Sequence, residues 1–291
     1  MGQVKIITDS TSDLSQEQTN KYGIKVVPIT VNFGSESYAD GIDLSAEDFF
    51  KKLTTGNELP KTSQPSPEMF RIAYDEIGGE DDIIFSVHVS GKLSGTLNSA
   101  ELASKMAKSK VVPIDTKTAS QGIGLSVLVA AEAASRGMKE EDIIAITDKS
   151  VAKTFSVFAV DTLEYLQRNG RIGKAASLLG SLLQIKPILY ADSEGMVAPY
   201  DKVRGRSHIV PTLVGAALKN VPPDNPVNVS VVHAMAEESA QKLLEELKKE
   251  YEIIDLHVGI VGPAIGAHIG PGAVGIMIQP AFDTLLESIN G

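Results

Sequence analysis

Short β-branched runs alternate with segments of helical period through the first half of this chain, and that alternation limits it to sheets crossed by helices. Residues 4–8, 25–31, 82–87 and 111–115 read as strands, while 15–22, 45–53, 67–77, 96–106 and 122–136 read as helices. Neighbouring strands joined through helices need crossover connections, so the pattern predicts a parallel sheet. Local chemistry supports the helix ends. Ser45-Ala46-Glu47-Asp48 reads as a capping box, Ser66-Pro67 places a cap before a first-turn proline, and Gly137 follows Arg136 as a stop. Residues 33–43, rich in Gly, Ser and Asp, have no helical period and are expected to form a hairpin or an irregular excursion.

Beyond a helix at 139–150 the pattern changes. Strands at 155–160 and 186–191 precede the turn Asp192-Ser193-Glu194-Gly195 and a further strand at 197–203, which makes a hairpin and hence a mixed or antiparallel sheet. A helix at 208–219, a proline-rich link at 221–226, a strand at 227–233, a charged helix at 237–250 and strands at 253–259 and 274–278 complete the chain. With 291 residues the length fits two domains of roughly 150 residues each. The expected fold is therefore α/β in two lobes, 1–150 around a parallel sheet and 151–291 around a mixed one. No long linker separates them, so the default ligand position is the cleft between.

The chain has no cysteine, which excludes a disulfide framework, a thiolate nucleophile, cysteine-ligated zinc and iron–sulfur clusters. A reducing, cytoplasmic setting is expected, since Met1 to Ile7 carries no signal-peptide pattern and runs directly into a strand. The most apolar helix, at 123–134, is interrupted by Ser126 and Glu132 and falls short of the about 18 apolar residues of a membrane span. Lys and Arg number 27 against 37 Asp and Glu, a net charge of −10, and no stretch reverses that balance. Together with 5% aromatics and no Trp, this argues against nucleic acid as a partner.

Several motif look-alikes carry no chemistry. Gly270-Pro271-Gly272-Ala273-Val274-Gly275 has dinucleotide-loop spacing but runs into a strand instead of opening a helix, and Gly91-Lys92-Leu93-Ser94 lacks the upstream glycine and the Lys-Ser pair of a phosphate loop. The histidines at 88, 208, 233, 257 and 268 show no paired metal-ligand spacing. A nucleophile elbow is missing, so a serine hydrolase or acyltransferase would need Ser94, His268 and an acid to converge from distant segments, and that alternative stays open.

Two junctions are more informative. Thr62-Ser63-Gln64-Pro65-Ser66-Pro67 precedes one helix, and Ser90-Gly91-Lys92-Leu93-Ser94-Gly95-Thr96 links a strand to another. Each sets hydroxyls beside free backbone N–H groups, and two such junctions meeting at the carboxyl ends of parallel strands would seat a small anion. Helix capping alone would explain the same residues. Three glycine-flanked basic spots lie later: Asn169-Gly170-Arg171-Ile172-Gly173, Val203-Arg204-Gly205-Arg206-Ser207 and Gly266-Ala267-His268-Ile269-Gly270. They orient an anion or are ordinary solvated loops.

This combination resembles the DegV family of bacterial fatty-acid-binding proteins over nearly the whole chain. The matching marks are Ile7-Thr8-Asp9-Ser10-Thr11-Ser12-Asp13-Leu14, the two hydroxyl-rich junctions, Asp161-Thr162-Leu163 with Gly170-Arg171-Ile172-Gly173, and His268-Ile269-Gly270-Pro271-Gly272. The resemblance implies a long-chain fatty acid enclosed between two α/β lobes. Thr62 and Ser94 would hold its carboxylate with Ser63, Gly95, Thr96 and His268 around them, and the tail would enter an apolar tunnel. It further implies no catalytic residue, metal or cofactor on this chain. A separate kinase, carrying ATP and Mg, would convert the presented carboxylate to an acyl phosphate for phospholipid synthesis. Arg171 and Arg204 would serve the head group or kinase docking, and transient contact with a membrane surface is compatible with that role. A sugar-phosphate-binding regulator using the same helix starts is the third expectation.

Overall fold

A computed structural model describes residues 2–56, 58–180 and 185–290. Its first part runs β1 (Val4–Asp9), α1 (Gln16–Tyr22), β2 (Lys25–Val27), β3 (Thr30–Phe33), β4 (Glu36–Ala39), α2 (Ala46–Thr55), β5 (Lys61–Ser63), α3 (Pro67–Ile77), β6 (Ile83–His88), α4 (Thr96–Ser104) and β7 (Lys110–Asp115). Strands β2, β1, β6 and β7 lie in that order and are all parallel, as the alternation predicts. The chain leaves β1 for β2 on one side and returns through β6 to β7 on the other. The loops after β1 and β6 thus flank a topological switch point, where open α/β sheets place their ligands.

One expected strand is two. Residues 25–31 break at Pro28, which has no N–H for a ladder, and Ile29 donates its own N–H to Ser10 Oγ at 2.9 Å. The chain then leaves the parallel sheet. β3 starts a separate antiparallel sheet, ordered β4-β3-β5, in which the expected hairpin turns at Gly34 with φ of +55°. At Ser45 the cap is present but its reciprocal half is not: Ser45 Oγ accepts from the Asp48 N–H and donates to the Asp48 carboxylate, whereas Ser15 and Gln18 form a full capping box at α1.

The second part follows helices α5 (Gln121–Ser135) and α6 (Glu140–Lys153). It comprises β8 (Phe155–Ala159), α7 (Glu164–Arg168), β9 (Ile185–Ala191), β10 (Val197–Arg204), α8 (Ile209–Asn220), β11 (Val227–His233), α9 (Glu237–Glu250), β12 (Ile253–Ile260), α10 (Pro263–Ile269), β13 (Val274–Pro280) and α11 (Phe282–Asn290). Its sheet is ordered β10-β9-β8-β13-β11-β12, antiparallel throughout except for the β11/β12 pair, so it is mixed as expected. Helix α5 is apolar on nearly every side because it is sandwiched, with β1 and β6 on one side and β11 and β13 on the other.

A single apolar cluster joins the small sheet and α2 to the inner face of the mixed sheet, including Phe33, Phe49, Phe50, Val232 and Met277. Phe49 and Phe50 are fully buried, each contributing about 1.5–3 kcal/mol relative to exposure. They pack on α10 at Gly266, where a β-carbon would stand 2.7 Å from the Phe49 ring. That close approach fixes the helix that carries His268.

Candidate functional site

Between the lobes lies a cavity of about 400 Å³, within the range of small-molecule sites. Its wall draws on the loops after β1, β6 and β7, on the small sheet, on α10, and on β8, β11 and β13. Side chains alternate along β13: Ile276 and Ile278 point into the cluster under α8 and α9, leaving Gly275 and Met277 for the cavity. From Ala273, just before the strand, to Met277 the wall extends about 14 Å at ~3.4 Å per residue. Ile29, Val89, Leu93, Phe158, Leu166 and Val261 make much of the remainder apolar.

Among the polar residues of this wall, Thr62, Ser94, Arg171 and His268 come together from distant segments. β5 pairs Thr62 with Val31 of β3, and Thr62 Oγ1 lies 2.9 Å from His268 Nε2 at the end of α10. His268 Nδ1 is buried without a hydrogen-bond partner among the described residues. Burial, reinforced by the nearby Arg171 charge, lowers the imidazole pKa to about 4, so the ring is neutral at ordinary pH. A neutral ring carrying its proton on Nε2 donates to Thr62 and frees the Thr62 hydroxyl proton for a ligand. Ser94 follows β6 at the switch point. Its Oγ accepts from the Thr96 N–H at 3.3 Å and stands 2.9 Å from Thr96 Oγ1. A proton supplied by Thr96 leaves the Ser94 proton to point elsewhere.

Arg171 supplies the charge. Its Nε donates to the Leu93 carbonyl at 2.9 Å and its Nη1 to the Asn169 carbonyl at 2.8 Å, and no carboxylate pairs with it among the described residues. Its basic neighbours are compensated: Arg168 by Glu164, Lys174 by Asp192 and Glu194, and both Lys186 and Arg206 by Asp161. A partly buried guanidinium held by two carbonyls, with no counter-charge, is a seat for an anion.

The other expected residues fall around or away from this group. Ser63 is exposed at the cavity rim and accepts from Asn32 Nδ2 at 3.2 Å. Thr96 is fully buried behind Ser94 and is outside the wall. Gly95 is outside it too: a β-carbon there would collide with the Gln64 carboxamide. Arg204 ends β10, exposed and off the cavity wall, so a head-group role for it has no geometric support. The expectation of two junctions at carboxyl ends of parallel strands also needs correction, because Thr62 belongs to the antiparallel small sheet and only the Ser94 loop follows a parallel strand.

Sequence reasoning missed Gln64, which lines the cavity and donates to the Gly95 carbonyl at 3.1 Å and to Ser99 Oγ at 3.0 Å, tying the two junctions together. Its place inside the Thr62–Pro67 motif was the available signal. Thr118, Ser120 and Ser156 on the far wall, and His233 with its own unpartnered Nδ1, had none.

A Ser-His-Asp arrangement does exist, in another place. Ser86 Oγ lies 2.5 Å from His88 Nε2, and His88 Nδ1 lies 2.8 Å from Asp9 Oδ2, with Tyr74 closing the chain on Ser86 at 2.8 Å. All are buried and off the cavity wall, so this is an internal network beneath the parallel sheet. Within the cavity, His268 bonds Thr62 instead of Ser94, and no acid orients its Nδ1 among the described residues. None of the described helices is long and apolar enough to cross a membrane, and no group of three His, Asp or Glu among the described residues could hold a metal ion.

Comparison with known proteins gives a consistent answer. A family model described as an uncharacterised protein of the DegV family matches residues 3–281. Protein DegV of Bacillus subtilis (strain 168) is 34% identical over 275 residues, covering 94% of this chain and 98% of that protein. Among solved structures, one described as fatty acid binding of a DegV family protein from Thermus thermophilus superposes with a TM-score of 0.89 at 34% identity, covering 96% of this chain and all of the other. DegV of Bacillus subtilis, described as a fatty acid binding protein, gives 0.88 at 32% identity, covering 97% of this chain and all of the other.

Proposed function

The chain belongs to the DegV family, and from that premise we propose that it binds a long-chain fatty acid with its carboxylate among Arg171, Thr62 and Ser94 and its tail in the apolar cavity. The observation that carries this reading is Arg171, a cation without an acidic partner on the wall of an otherwise largely apolar hollow. A tail of about 16 carbons gains on the order of 10 kcal/mol at ~0.8 kcal/mol per buried CH₂, while a charge-assisted hydrogen bond adds roughly 1.5–3. Affinity comes mainly from the tail, and the polar residues decide which end faces them.

The finer part of the proposal is that the bound acid is handed to a separate ATP-dependent kinase, which phosphorylates the carboxylate for phospholipid synthesis. A carboxylate is already a nucleophile at neutral pH, so the chain's task is to hold it and keep the tail from water; positioning dominates such transfers. The His268 ring, bonded to Thr62 and not to Ser94 and with no acid on its Nδ1 among the described residues, supports this over a hydrolase reading.

The test is organic extraction of the purified full chain followed by mass spectrometry. A stoichiometric long-chain fatty acid is expected. Its absence after growth with added lipid refutes the reading, and displacement by a soluble sugar phosphate with no response to fatty acids would select the regulator instead.

A further inference from the structure

Helix α10 carries His268, Ile265 and Ile269 of the cavity wall, yet its first turn is held from the opposite lobe by two carboxylates. The Gly262 N–H donates to Asp13 Oδ1 at 2.9 Å, and the Ala264 N–H donates to Asp40 Oδ1 at 3.2 Å. The second oxygen of each is also engaged: Ser120 Oγ donates to Asp13 Oδ2 at 2.5 Å, and Ser10 Oγ donates to Asp40 Oδ2 at 2.6 Å. Ser10 and Asp13 come from the turn after β1, Asp40 from the end of the β3–β4 hairpin, and Ser120 from the head of α5. Three segments of the amino-terminal lobe therefore meet on one short helix of the other.

Backbone strain is concentrated at the same point. Asp13 is left-handed at φ +51°, ψ +26°, and Ser120 adopts φ +55°, ψ −145°, a region that suits glycine. Non-glycine residues stay in such conformations only where their surroundings fix them, and functional sites are where this collects. Ser120 is itself part of the cavity wall.

Resting on the fatty-acid reading, we propose that Asp13 and Asp40 are positioning residues of the ligand site, clamping the first turn of α10 across the lobe junction and so holding His268 against Thr62. The clamp is set near neutrality. Burial is the main cause that pushes Asp13 up to about 7 and Asp40 up to about 6, with the Asp9 charge adding to both. The groups facing the pair are Asp9, bonded to His88, the Ser10 and Ser120 hydroxyls, and the amides of α10. Lowering the pH through this range protonates the clamp. It then loses the charge that the α10 amides bind most strongly and keeps only neutral acceptors.

The test compares the wild-type chain with Asp13→Asn and Asp40→Asn by two measurements. Amide hydrogen exchange over residues 262–269 reads the clamp without any ligand, and parinaric acid fluorescence between pH 5.5 and 8.5 reads the site. At pH 8 each variant is expected to exchange about tenfold faster in α10 alone and to bind parinaric acid about tenfold more weakly. The wild-type affinity should also fall toward acid pH, and each variant should lack its own aspartate's share of that fall while keeping the other's. Unchanged exchange overturns the clamp, and faster exchange with unchanged affinity and pH profile overturns the positioning role. A wild-type chain that binds no parinaric acid defeats the lipid reading instead, while exchange still decides the clamp. Should an Asn variant fail to fold, Ser120→Gly removes one clamp partner in a backbone conformation that glycine accepts, with the same readouts.

Discussion

Replacing Arg171 with Met removes the charge at the cavity wall and keeps most of the aliphatic stem. Because Arg171 faces only the Leu93 and Asn169 carbonyls, no carboxylate is left unpaired by the change, and water can reach the partly buried carbonyls. The fold should therefore lose less than about 2 kcal/mol, well below the roughly 3–5 kcal/mol of breaking a buried ion pair. Head-group recognition should lose the ~1.5–3 kcal/mol of a charge-assisted hydrogen bond, a factor of about 10 to 150 in affinity. The tail contribution, on the order of 10 kcal/mol, is untouched. The variant should still take up lipid but stop distinguishing a fatty acid from its methyl ester. Competition of both ligands against a fluorescent fatty acid measures that ratio directly. Wild type and variant showing the same acid-to-ester preference would refute the assignment of Arg171 to the carboxylate. A second readout is internal: without the Arg171 charge the His268 pKa should rise from about 4, yet stay below its ordinary value because burial is the larger cause.

Thr62→Val combined with Ser94→Ala should leave the fold intact at a cost of about 1–3 kcal/mol, because the His268 ring loses its partner, and should lower acyl-phosphate formation in a reconstituted assay with the kinase; undiminished turnover removes both hydroxyls from the site. The chain mixed with ATP alone should yield no acyl phosphate by mass spectrometry, and product without a second protein would make it an enzyme. For His268, folding lowers the pKa from 6.5 to about 4, so between those values this group contributes a stability that falls as the pH drops, against the opposite contribution of Asp13 and Asp40, whose pKa values folding raises. His268→Gln should therefore raise stability at pH 5 relative to pH 7 compared with the wild type, measured by urea unfolding at both pH values, and an unaltered difference would contradict the burial of the ring.

The parallel sheet, the mixed sheet and most helix bounds were legible because long periodic segments and capping residues report local physics. Residues 25–31 divide between two sheets, which a β-branched run does not reveal; Pro28 marks the break, and the Ser10 contact shows where the chain turns. At the site, motif residues Thr62, Ser94, His268 and Arg171 do line one cavity. Gly95 and Thr96, from the same motif, serve by making room for Gln64 and by orienting Ser94, a distinction that spacing cannot express. Arg204 looked equivalent to Arg171 because both sit beside glycine. The difference is tertiary, since one side chain reaches the Leu93 carbonyl across the lobe junction and the other ends an exposed edge strand. The roles of Ser120, and of Asp13 although it stands in the opening motif, were not legible for a related reason: they follow from positive φ angles and from the amides of a helix more than a hundred residues away.

The charge arrangement also bears on what the site can present. The chain carries a net charge of −10, so long-range attraction does not bring anions to it, and recognition has to be local. Under the proposed reading the apolar wall supplies most of the affinity, and Arg171 selects the sign of the head group. His268, kept neutral by burial and by that same guanidinium, adds a hydrogen bond without adding a second positive charge. A carboxylate facing two buried cations would be strongly stabilised as an anion and a poorer nucleophile. Facing one partly exposed cation and two hydroxyls, it is oriented yet retains its reactivity. Under the proposed reading, that balance is what a carrier requires if another protein is to phosphorylate its cargo without first extracting it.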